Sequence, residues 1–135
     1  MTLLRHPAVS TWFDRSYGSP TLAQERAWPI VAAGKDLLLA APTGSGKTLA
    51  AFLSLIDRLS LEPRDEAGVR VLYVSPLKAL NNDIQRNLDE PLAGIAAVAA
   101  DLGIAAPQIR TAVRTGDTVA NERSEERRVG KECRL

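Results

Sequence analysis

The stretch of this chain best equipped for chemistry is APTGSGKT, Ala41 to Thr48. Two glycines, Gly44 and Gly46, let the backbone curl so that consecutive amides point at one anion, and a helix starting just beyond them adds its positive N-terminal end. Lys47 is then placed to bridge the β and γ phosphates of a nucleoside triphosphate, and the Thr48 hydroxyl to ligate Mg²⁺. Thr43, Gly44, Ser45, Gly46, Lys47 and Thr48 are therefore the candidate phosphate cradle, with Lys47 and Thr48 as candidate catalytic groups and Thr48 as metal ligand. The spacing follows the G-x-x-x-x-G-K-[ST] pattern except that Ala41 stands at its leading glycine. The plain alternative is a Gly-rich strand-to-helix turn carrying a surface lysine. What lies on either side of the loop decides against that alternative.

Before the loop, DLLLA (Asp36 to Ala40) follows Gly34 and is expected to form a buried parallel strand. After it, Leu49, Phe52, Leu53, Ile56 and Leu59 recur at helical spacing along one stripe. EPRDEAG is a polar connection, and VRVLYVS (Val69 to Ser75) reads as a second buried strand. LKALNNDIQRNLDE predicts a helix that Pro91 should end or kink, and AGIAAVAADLG predicts another. QIRTAVRTGD supplies a third strand and a loop. Strands alternating with helices predict an α/β fold around a parallel sheet.

The motif's wording carries a resemblance. A-x-T-G-S-G-K-T is the form used by superfamily 2 helicases, and GSPTLAQ (Gly18 to Gln24) looks like their Q motif. VSPLKALNNDIQRNL (Val74 to Leu88) looks like motif Ia, and VRTGDT (Val113 to Thr118) like motif Ib, in the family's order. Together with HPAVSTWF and PTLAQERAWPIVAAGKDLLLAAPTGSGKTLAAFL, these stretches resemble the large helicase-related (Lhr) family of bacterial ATP-dependent DNA helicases, from about His6 to Glu122. The resemblance implies a RecA-like P-loop NTPase lobe, a three-layer sandwich truncated within its parallel sheet. It implies ATP and Mg²⁺ as cofactors, Gln24 as the reader of the adenine edge, and DNA or an RNA:DNA hybrid as partner. Pro76 and Lys78 in motif Ia, and Thr115 and Gly116 in motif Ib, would then touch a nucleic-acid backbone.

Ordinary explanations stand beside several of these assignments. Gln24 also fits a helix-surface amide, Lys78 a solvated helix opening, and Thr115 to Asp117 a tight turn. Phe13 and Tyr17 are stackers for a base or, more in keeping with aromatic residues generally, packing groups; Trp12 and Trp28 read as core. His6, the sole histidine, reads as helix-start surface.

A helicase of this kind also needs an acid pair after an apolar strand, one acid to hold Mg²⁺ and one to orient water. The chain has Asp65-Glu66 in a connection and Asp89-Glu90 at a helix end, and neither follows a strand. The expectation is thus the front part of a first motor lobe, residues 1–122, that does not hydrolyse ATP; the alternative is a passive nucleotide- or nucleic-acid-binding piece. A kinase or small GTPase would share Lys47 and Thr48 but not the flanking motifs, and the L-S-G-G-Q signature of transporter ATPases does not occur. Uncovered strand edges in such a piece predict aggregation or a molten state.

Composition is consistent with this outline. The chain has 135 residues, 45% of them hydrophobic, and one cysteine, Cys133, so it can form no internal disulfide. No apolar run reaches membrane-spanning length and the N-terminus lacks a secretory signal, so the expected location is cytoplasmic, with no membrane partner. Residues 1–122 carry 12 basic and 13 acidic side chains, so nucleic-acid contacts must come from local loops rather than a general positive field. Residues 123–135 form a separate segment in composition: Arg123 to Arg134, RSEERRVGKECR, resembles the translation of a common short-read sequencing adapter and is expected to be non-native, the alternative being a genuine charged helix end.

Overall fold

The computed structural model describes residues 4–42, 46–62, 68–74 and 79–115, with the side chains of 79–83 excepted. Four helices lie among them: α1 (Pro7–Tyr17), α2 (Leu22–Ala32), α3 (Lys47–Leu61) and α4 (Ala79–Leu102). The chain divides into two units, Met1–Glu62 with Arg86–Ile109, and Pro63–Gln85 with Arg110–Leu135.

The first unit holds the core. Val9, Trp12 and Phe13 from α1 pack with Ala27 and Trp28 from α2, with Ala50, Phe52, Leu53 and Ile56 from α3, and with Ile95, Val98 and Ala99 from α4. Aromatic edges organise its centre, the Phe13 ring meeting Trp28 edge-on at 5.2 Å. The α3 stripe expected from the sequence is realised at Phe52, Leu53 and Ile56, while Leu49 and Leu59 are half-buried.

Each of the first two helices opens on a side-chain cap. Pro7 sits in the first turn of α1, where its missing N–H costs nothing, and His6 caps that helix by accepting from the Ala8 amide at 3.3 Å. His6 is thus a helix-start residue, as its sequence context predicts. Asp57, buried on α3, reaches back to the same place and accepts from the amides of Arg5 (3.0 Å) and His6 (2.8 Å).

Two expectations are corrected. Pro91 does not end its helix, because α4 runs unbroken from Ala79 to Leu102 and joins two stretches that were expected to be separate. A helix-interior proline costs about 3 kcal/mol. Here Pro91, Ile95, Val98 and Ala99 follow one another at helical spacing as a buried stripe, and keeping that phase offsets the lost backbone bond. Gly94 lies within this stripe, and a β-carbon there would overlap the Trp12 indole, so its bareness is what lets α4 and α1 come together.

The second correction concerns the strands. Among the described residues none is in a β-strand: Asp36–Ala40, residues 69–74 and residues 108–115 are irregular. A parallel strand is held by ladder bonds from neighbouring strands and by helices covering both faces. These runs instead present side chains to solvent, Leu38 being 94% exposed and Leu72 and Val74 each 79%, so neither condition holds. Ser75, the last residue of the second expected strand, and the tail at 123–135 lie outside the described residues, as do Asp65 and Glu66.

Candidate functional site

The site is assembled where α2 meets the start of α3. Thr21 caps α2, its hydroxyl accepting from the Gln24 amide at 3.3 Å, and the Gln24 side chain returns the bond by accepting from the Thr21 amide at 2.9 Å. This reciprocal capping box fixes the Gln24 side chain on the first turn. Its other end points at the phosphate loop, where Nε2 donates to the Gly46 carbonyl at 3.4 Å. One amide end faces a donor and the other an acceptor, so the network sets the orientation of the group. Gln24 is only 3% exposed. Both ends of the side chain thus already hold protein backbone, and an adenine-reading role would have to share them.

Gly46 is the N-cap of α3, with φ +79, a left-handed conformation that favours glycine. A β-carbon there would lie 2.6 Å from the Gln24 Nε2, a second reason for glycine. Lys47 and Thr48 are the first two residues of α3, the lysine half-buried and the threonine exposed. Among the described residues no side chain caps α3, in contrast to α1 and α2. Its first-turn amides thus keep the orphan donors that attract an anion, reinforced by the helix dipole. Thr43, Gly44 and Ser45, the remainder of the cradle, lie outside the described residues.

One further bond joins the two helices. The indole of Trp28, 1% exposed, donates from Nε1 to the Ala50 carbonyl at 3.0 Å. Phe13 is fully buried and cannot present a face to a base, whereas Tyr17 is 57% exposed and stacks on Phe13 at 5.4 Å. No cluster of three or more His, Cys, Asp or Glu that could hold a metal occurs among the described residues, so Thr48 is the metal-ligating candidate that the described structure contains.

In the second unit, Gln85 on α4 donates to the Thr111 hydroxyl at 3.4 Å, tying the helix to the segment that leads to Thr115. Thr115 is half-buried, while Pro76, Lys78 and Gly116 lie outside the described residues. Asp89 and Glu90 are exposed on α4, which places them on a helix surface and not at a strand end.

A model of the DEAD/DEAH box helicase family matches residues 21–126, beginning at the Thr21 cap that orients Gln24. The chain belongs to the DEAD/DEAH box helicase family. Among curated relatives, the Lhr helicase/probable uracil glycosylase of Mycolicibacterium smegmatis is 53% identical over 113 residues, covering 83% of the chain and 8% of that protein. The ATP-dependent helicase Lhr-Core of Methanothermobacter thermautotrophicus is 51% identical over 122 residues, covering 88% of the chain and 14% of the relative. The solved structure of Mycobacterium smegmatis helicase Lhr bound to ssDNA and AMP-PNP superposes with a TM-score of 0.80 at 50% identity, covering 89% of the chain and 15% of that one. The chain thus has a RecA-like fold and spans only 8% to 15% of the length of these relatives. No helix among its described residues is long and apolar enough to cross a membrane.

Two contributors escaped the sequence reading. Trp28 passes for core by its type, and only its indole N–H, which needs a partner when buried, hints at a second task. Asp57 sits beside Ile56 at the edge of an apolar stripe, and nothing in the sequence says which amides it serves.

Proposed function

We propose that this chain is the ATP-binding front portion of an Lhr-type helicase motor, holding the triphosphate at the start of α3. The observation that carries the reading is the opening of α3 itself. A left-handed glycine, no side-chain cap, and Lys47 and Thr48 in the first turn follow directly on the phosphate-loop sequence. The residues fit the group: the amides of the first turn and the Lys47 ammonium complement phosphate charge, and the Thr48 hydroxyl suits a hard cation such as Mg²⁺. Bound Mg²⁺ would neutralise charge on the β and γ phosphates. Lys47 orients the terminal phosphate, and the buried Gln24 amide keeps the Gly46 turn in the shape that the loop requires. Beyond its two internal bonds Gln24 retains a second amide hydrogen and a second lone pair, the pair of functions that adenine recognition uses. The relative whose structure is solved bound to ssDNA and AMP-PNP supports ATP as ligand and single-stranded DNA as partner; Thr115 and Gly116, and Pro76 and Lys78, are the residues we assign to backbone contacts, on the motif sequence.

A second reading concerns turnover. Asp89 and Glu90 stand exposed on α4, ahead of motif Ib, and no Asp-Glu pair follows motif Ib in the sequence. The chain therefore binds ATP without hydrolysing it. In the intact motor, closing of two lobes around ATP would shift the motif Ia and Ib contacts along one DNA strand.

Titration of the purified chain with AMP-PNP and Mg²⁺ tests the reading. Binding is expected, with loss of at least tenfold in Lys47→Ala and reduced preference for ATP over GTP in Gln24→Ala. Binding that Lys47→Ala leaves untouched would refute it. DNA-stimulated ATP turnover that vanishes in Lys47→Ala would refute the second reading alone.

A further inference from the structure

The two side-chain bonds that join α2 to α3 share a register. Gln24 and Trp28 stand one turn apart on α2, and their acceptors, the carbonyls of Gly46 and Ala50, stand one turn apart on α3. Both pairs are 22 residues apart in sequence. A buried indole merely in need of a partner could have found any carbonyl. This one finds the carbonyl a full turn beyond the partner of Gln24, on the same side of the same helix. Lys47 and Thr48 lie between those two carbonyls. The Gly46 carbonyl also accepts the first bond of α3, from the Ala50 amide at 2.8 Å, so the rung at Gly46 and the rung at Ala50 grip the two ends of a single turn.

We infer that Trp28 is a positioning residue for nucleotide binding: its indole N–H, acting with Gln24, fixes the rotation of the first turn of α3 and thereby the direction in which Lys47 and Thr48 project. The inference rests on the reading of α3 as the phosphate-binding helix. One rung alone would leave α3 free to rotate about the contact, whereas two rungs a turn apart remove that freedom. Packing by itself does not supply this constraint, because aliphatic and aromatic contacts tolerate small rotations that a directional bond does not. Loss of the Trp28 rung therefore acts on ligand affinity more than on stability.

The test compares Trp28→Phe, which keeps an aromatic ring in the core but lacks the N–H, with Val9→Ala, which opens a void in α1 and leaves both rungs intact. The chain and its variants are titrated with AMP-PNP and Mg²⁺, their thermal stability is recorded, and amide hydrogen exchange is followed along α3. Trp28→Phe is expected to weaken AMP-PNP roughly three- to tenfold, the range of one net hydrogen bond. It should also speed exchange at Ala50 and Ser54 while leaving Leu59 to Leu61 unchanged. Val9→Ala is expected to lower stability at least as much with AMP-PNP affinity held within about twofold. The double variant Gln24→Ala, Trp28→Phe should cost less than the sum of its parts, since either change already frees the turn. Affinity that falls in step with stability in both Trp28→Phe and Val9→Ala overturns the inference, as does wild-type affinity in Trp28→Phe. Should the wild-type chain bind no AMP-PNP, the phosphate reading has failed. Exchange at Ala50 and Ser54 then decides the positioning alone, and unchanged rates in Trp28→Phe reject it.

Discussion

Replacing Asp57 should detach the start of the chain from its third helix. Its carboxylate is 6% exposed and accepts from the Arg5 amide through both oxygens at 3.0 Å and from the His6 amide at 2.8 Å. Backbone amides bonded to a charged acceptor contribute about 1.5–3 kcal/mol each. Arg5 is exposed and His6 half-exposed, so water takes over part of that bonding, and a net loss of about 2–3 kcal/mol is the reasonable figure for Asp57→Ala. Asp57→Asn keeps one acceptor but brings an NH₂ group against a donor, for a loss of about 1–2 kcal/mol. Out of a typical domain stability of about 5–15 kcal/mol either is a large fraction. Residue-resolved amide exchange reads it directly: protection at Arg5 and His6 should fall by about 30- to 150-fold in Asp57→Ala, at 1.36 kcal/mol per decade. Exchange within about threefold of wild type at both amides would show that the clamp contributes little and would sink the reasoning.

Three further outcomes are expected. Gly46→Ala should destabilise by about 2–3 kcal/mol, combining left-handed strain of about 1–2 kcal/mol with displacement of the Gln24 amide; denaturant unfolding measures it, and the loss should shrink by about 1 kcal/mol in a Gln24→Ala background, where the obstruction is gone. Gln24→Glu should keep the α2 cap yet lose about 1–2 kcal/mol, because a carboxylate cannot donate to the Gly46 carbonyl; equal stability to wild type would mean that the 3.4 Å contact carries nothing. Gly94→Leu should force α4 away from the Trp12 indole, seen as a red-shifted and quenched tryptophan emission; an unchanged spectrum would refute the close approach.

The start of α3 just beyond Gly46 and its buried stripe were legible because each is a local pattern: a glycine that ends the loop, then apolar side chains at helical spacing. The Thr21-x-x-Gln24 capping signature was equally present in the sequence, but the glutamine was assigned to adenine, and its bonds to Thr21 and Gly46 emerge only from the structure. Leu37 to Leu39 and Val69 to Val74 have strand composition, yet strand formation depends on neighbours that a local pattern does not contain. Pro91 misled for a related reason, since its cost is local and the buried stripe that offsets it is not. The Asp57 clamp joins residues more than fifty positions apart and left no trace in either neighbourhood.

That separation has a consequence for how the chain comes into being. Arg5 and its clamp are 52 residues apart, so at about 5–20 residues per second a ribosome emits α1 some 3–10 seconds before Asp57 is available to hold the residues that lead into it. An eleven-residue helix is marginal in water by itself, and Val9, Trp12 and Phe13 have nothing to pack against until α2 and α3 arrive. During that interval α1 is an amphipathic segment without its packing partners, and its docking waits on the helices that supply them.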